Sequence, residues 1–202
     1  MEKMRYMLSL FIFALKEEQK IPVNTLFRYV YIYSVSIDYL QDLSNSKEEV
    51  IIDKNIGIGD YSILHEALQS LNETRMINMI DAVNIESTES LQEYIQGLLS
   101  TERVKHDLNN ITYFVGIVSN YSEDVILSIF YNEPNVLYAT NRNENVIKLT
   151  NNKLYDLLKK FEIIANNECG KDLDRYDVFT TWIDFVFEEY LQGKGIEWVV
   201  TS

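Results

Sequence analysis

Gly57-Ile58-Gly59-Asp60 is the stretch whose residue types come closest to chemistry. Paired glycines ahead of a helix can cradle a phosphate on backbone N–H groups. A dinucleotide fingerprint needs a third glycine, however, and a P-loop needs a lysine; neither follows here. Asp60 would also turn a negative charge toward an incoming phosphate. The residues fit a helix entrance better. Glycine lets the chain turn, Asp60 caps the helix by accepting a backbone N–H bond, and its charge suits the helix dipole. Ile63, Leu64, Ala67, Leu68 and Leu71 then form the core face of that helix. No cofactor-binding residue is assigned.

The remaining reactive side chains are sparse or badly spaced. His65-Glu66 resembles half of an H-E-x-x-H zinc motif, but the second histidine position holds Gln69. His106 stands alone, so no metal ligand is assigned. Glu17-Glu18, Glu48-Glu49, Glu123-Asp124 and Glu188-Glu189 are sequence neighbours, and neighbouring helical residues diverge rather than form an acid/base pair. No G-x-S-x-G nucleophile elbow is present. Cys169 is the only cysteine, which precludes an internal disulfide and is compatible with a reducing compartment. The expectation is a non-enzyme with no catalytic residue, located in the cytoplasm.

What must position these residues is mostly helix. Seven glycines and two prolines in 202 residues disfavour sandwiches and propellers. Residues 3–18 predict a buried first helix; its apolar run from Met7 to Leu15 mimics a signal peptide but lacks a small-x-small cleavage site and is too short to span a bilayer. Residues 23–43 predict a second helix, capped by Asn24 or Thr25 and apolar over much of its circumference. A polar loop over Ser44–Glu49, a short strand over Val50–Asp53, a third helix to Glu73, and strand character at Ile77–Ile80 and Val83–Ile85 complete a winged-helix-like module. Its wing lacks a strong hairpin turn signal. Helical spacing then recurs near 88–100, 102–120, 122–132, 151–167 and 173–192. The fold class is therefore mostly α with a minor β part. A module over residues 1–86 precedes a helical partner-binding region over 87–202, with a boundary near 86–101 that a long shared helix would erase.

Charge narrows the partners. The chain carries 18 basic and 31 acidic residues, a formal net charge of −13 spread over both halves. Nucleic-acid affinity comes mainly from neutralising phosphates, so DNA contact by this chain alone is disfavoured, and proteins with basic surfaces fit better. The aromatic residues fall at helical core spacing without an interleaved basic run, which argues for core packing over base stacking. In the last helix, Tyr176, Phe179, Ile183, Val186 and Tyr190 make one apolar stripe, and Val178, Trp182 and Phe185 make a second. A helix with two apolar faces needs two things to pack against, and the second stripe is the candidate partner interface.

Three segments together resemble a known family: "LFIFALKEEQKIPVNTLFRYVYIYSVSIDYL", "GDYSILHEALQSLNETRMI" and "YSEDVILSIFYNEPN" followed by "VIKLTNNKLYDLLKKFE". In order and general character they are similar to the middle component of ABC three-component systems, including Lamassu-type bacterial anti-phage defence. The resemblance implies a winged-helix adaptor that links an SMC- or Rad50-like ATPase to an effector such as a nuclease. It transfers no catalytic residue. Two other readings stand beside it: a stand-alone winged-helix transcription regulator, whose reading helix near Tyr61–Glu73 offers no basic residue before Arg75, and a small-ligand enzyme using the glycine turn.

Overall fold

The run from Val23 to Leu40 holds apolar or aromatic residues on nearly every side, so it must be enclosed rather than laid on a surface. In the computed structural model, which describes residues 2–18, 20–44, 50–53, 57–142, 144–149, 151–170 and 172–193, this run is the central helix α2 (Val23–Leu40). Thirteen of its 18 residues are buried, among them Tyr29, Tyr31, Tyr33 and Tyr39. Neighbours from both ends of the chain surround it, so tertiary burial overrides the strand propensity of its β-branched and aromatic residues. Its N-cap is Pro22, with no side-chain cap bond. The expected caps Asn24 and Thr25 are corrected by this: proline's fixed φ already starts the helix, and both residues fall inside it.

α1 (Glu2–Ala14) packs on α2, on α3 (Tyr61–Glu73) and on α5 (Glu102–Val118). Between α1 and α2, Ile21 and Pro22 form a two-residue strand, β1 (Ile21–Pro22). β4 (Ile77–Met79) and β5 (Asn84–Ser87) form an antiparallel hairpin, and β1 pairs with β5, which gives the order β1-β5-β4. Helix, strand, two helices and a hairpin whose second strand returns beside the first strand is the connectivity of a winged helix. The hairpin turn is closed by Asp81, whose Oδ1 accepts from the N–H groups of Val83 and Asn84, both at 2.8 Å. An aspartate turn of this kind leaves no Asn-Gly or Asp-Gly dipeptide to read.

Between α2 and α3 lies a second sheet, ordered β3-β2-β6. β2 (Val50–Asp53) pairs on one side with β3 (Ile58–Gly59) and on the other with β6 (Val146–Leu149). The alternating exposed and buried residues of β6 fit a sheet with one covered face. Residues 45–49 of the expected polar loop and Asn55–Ile56 lie outside the described residues. The second half supplies α4 (Glu89–Leu98), α5, α6 (Glu123–Asn132), α7 (Pro134–Thr140), α8 (Lys153–Cys169) and α9 (Arg175–Gly193). Pro134 sits in the first turn of α7, where its missing N–H costs nothing. One hydrophobic cluster runs from Leu8 in α1 through α2 to Val186 in α9, and the β2–β6 pairing joins residues that precede and follow the 86–101 segment in sequence. Among the described residues no helix is long and apolar enough to cross a membrane.

Candidate functional site

The Gly57–Asp60 turn is filled by the chain's own aromatic side chains. Gly57 has φ +68, which favours glycine, and a Cβ there would strike the hydroxyl of Tyr131. A Cβ on Gly59 would overlap the ring of Tyr31. Asp60 stands at the N-cap position of α3, yet it makes no side-chain cap bond and has a left-handed φ of 53°. Instead its Oδ1 accepts the N–H of Ile51 at 3.1 Å, while its own N–H donates to the Ile51 carbonyl at 2.7 Å. The expected cap is therefore corrected. Asp60 is buried, and its carboxylate clamps β2 rather than the first turn of the helix.

Tyr31 leads from this turn into a buried polar network. Its hydroxyl donates to Glu133 Oε2 at 3.0 Å. Glu133 caps α7, accepting from the N–H groups of Asn135 at 3.0 Å and Val136 at 3.1 Å. The Asn135 amide also donates to Glu133 Oε1 and to Asn152 Oδ1, and Asn135 Oδ1 accepts the N–H of Lys153. Asn152 in turn caps α8 through Leu154 N–H and donates to the Val35 carbonyl in α2. Glu133 has no exposed surface, and burial raises its carboxyl to about 7 despite four donors that lower it. Such a value suits a general acid or base. Both oxygens, however, are already committed to the start of α7 and to α2, so the arrangement fixes helix ends rather than a substrate.

The histidines stay apart. His65 lies against the ring of Tyr61, and His106 Nε2 is 3.1 Å from the Asn110 amide nitrogen, one turn along α5. Among the described residues, no group of three or more His, Cys, Asp or Glu is arranged to hold a metal ion. Cys169 is exposed at the end of α8.

The three interface candidates separate on the structure. Val178 and Trp182 are enclosed, at 0% and 2% exposure, with Trp182 lying beside Phe179 in the core. Their stripe is therefore already covered by this chain. Phe185, at its outer edge, remains 50% exposed and meets the ring of Phe161 on α8 at 6.3 Å. On α8, Leu154, Leu158 and Ala165 face the core, while Leu157, Phe161 and Ile164 lie about a quarter-turn round the helix. The apolar arc of α8 is wider than its neighbours cover. Leu157, Ile163 (63% exposed) and Ile164 (54% exposed) remain outward on α8, and half-buried Phe161, through its contact with Phe185, carries the Leu157 and Ile164 side on to α9 as an apolar seam. Leu157, Phe161 and Ile164 were not picked out from the sequence, although their i, i+4, i+7 spacing was available to find them.

The seam rests on a rigid base. Arg175, at the start of α9, donates to the Tyr39 carbonyl at 2.8 Å and pairs with Asp42 and with Glu162, the latter at 3.8 Å. Its guanidinium lies 5.3 Å from the Tyr39 ring centroid, with Lys159 of α8 at 5.6 Å from the same ring. These contacts tie α8 and α9 to the C-terminal end of α2.

Fold and site define a mostly helical protein with winged-helix connectivity, a closed polar interior and an exposed apolar helix seam. Comparison with protein-family models, with curated proteins and with solved structures found no match.

Proposed function

We propose that this chain is a non-catalytic adaptor subunit of a multi-protein complex. The role is the one its resemblance implies: linking an SMC- or Rad50-like ATPase to an effector such as a nuclease in cytoplasmic anti-phage defence. The observation that carries the reading is the α8–α9 seam. Apolar side chains at this exposure, held on two braced helices, are a stable surface for another polypeptide. The test is co-expression with the products of the neighbouring genes. A stable complex that Ile164→Asp disperses supports the reading; recovery of the wild-type chain as a lone monomer removes it.

The winged-helix connectivity keeps a second reading open, a stand-alone transcription regulator. The outward residues of α3 weigh against it: Ser62, Glu66, Gln69, Asn72 and Glu73 offer phosphates no cation. Retarded migration of duplex DNA at low salt, weakening as salt rises, would favour the regulator over the adaptor.

A further inference from the structure

From Gly57 to Thr101, Arg75 is the single cation against seven carboxylates, of which only Asp60 is buried. This is the part of a winged helix that would meet DNA, and here its charge has the wrong sign. Within it, the wing tip exposes Met79 at 42%, Ile80 at 39% and Val83 at 58%. The tip is preorganised. Asp81 holds the turn through Val83 N–H and Asn84 N–H, and its carboxyl sits below the usual range because of the Asn84 amide, these two bonds and the charge of Lys20. The Val83 carbonyl accepts the N–H of Val23 at 2.9 Å, which fastens the tip to the first residue of α2. Little ordering entropy remains to be lost when such a loop is bound.

We propose that the wing tip is a second docking surface, which inserts Ile80 and Val83 into an apolar pocket rimmed by Lys and Arg on a partner protein. The acidic setting selects that partner chemistry: Asp81 and Glu86 flank the tip, and Glu66 and Glu73 line the adjoining helix. The tip is anchored at Val23, while the α8–α9 seam is anchored through Arg175 at Tyr39. Those two anchors are about 24 Å apart along α2 at 1.5 Å per residue. Two partners can therefore be held at once by one buried helix. This inference rests on the adaptor reading and specifies it.

The test measures binding of the full chain, separately, to each of the two subunits encoded by the neighbouring genes, over a range of salt. Ile80→Asp/Val83→Asp is expected to weaken one partner by about tenfold or more and to leave the other and the melting temperature unchanged. Val83→Ser, which trims the tip without adding charge, shows the same selectivity at smaller amplitude. Ile164→Asp spares the wing-dependent partner, and only that partner's affinity falls steeply with salt. If the wing variants bind both subunits like wild type, the inference is overturned and the adaptor reading stands. If the wild-type chain binds neither subunit, both are overturned. Wing-dependent binding to duplex DNA in place of protein also overturns the inference.

Discussion

Replacing Glu133 with glutamine isolates a buried carboxyl whose ionisation the fold opposes. In the folded chain its pKa is raised to about 7 from 4.5, chiefly by burial. Between those values the folded state holds a proton that the unfolded state has released. Wild-type stability therefore has its full Glu133 contribution below pH 4.5, loses it as pH rises toward 7, and is level above. At about 1.4 kcal/mol per pH unit, the loss across this window is about 3 kcal/mol. Glu133→Gln keeps the shape and an acceptor for Tyr31 but does not titrate. Its amide also meets donors, a cost that a protonated glutamic acid shares and that is the same at every pH. Urea denaturation of both proteins from pH 4.5 to 8 gives the difference, wild type minus variant, with other titrating groups cancelling. That difference should fall by about 3 kcal/mol, with its steepest slope below pH 7. A flat difference, or one that rises with pH, would refute the account of a desolvated carboxylate.

Three further outcomes follow from packing. Gly59→Ala forces a methyl group into the Tyr31 ring and should destabilise by about 1–3 kcal/mol, read in chemical denaturation. Gly116→Ala, where a Cβ meets open space, is the control and should be neutral or stabilising. Trp182→Ala should cost about 3–5 kcal/mol because the side chain is enclosed, whereas Phe185→Ser should shift stability by only about 0.5 kcal/mol or less while weakening partner capture. Equal losses in the two would mean that Phe185 belongs to the core and not to an interface. Arg175→Ala removes a cation held against Asp42, Glu162 and the Tyr39 ring; it should loosen the α8–α9 base, seen as faster amide exchange there than in α1.

The helices and the wing strands were legible because their signals are local. The apolar circumference of Val23–Leu40, the spacing of Leu64, Ala67, Leu68 and Leu71, and the β-branched runs flanking Asp81 each sit within one element. What escaped was decided across the chain. β6 shows only one short alternation, and its place beside β2 comes from register with residues in the other half. Gly59 reads as a turn residue, yet its missing side chain answers to Tyr31, on a different helix. Asp60 carries the right chemistry for a cap, but the left-handed backbone at that position turns its carboxylate to Ile51. The candidate interface stripe lies on α9. Its burial was unreadable, because α9 alone does not say how far the core wraps Val178 and Trp182.

The central claim is that this chain acts only as part of a complex, holding partners through exposed apolar surfaces. Native mass spectrometry of the tagged chain, co-expressed with the products of the genes on either side of its own, tests this most directly. The account predicts one assembly containing this chain, the ATPase and the effector, which Ile164→Asp splits without unfolding the chain. A spectrum of free monomer with wild type, or an assembly indifferent to that substitution, would contradict it.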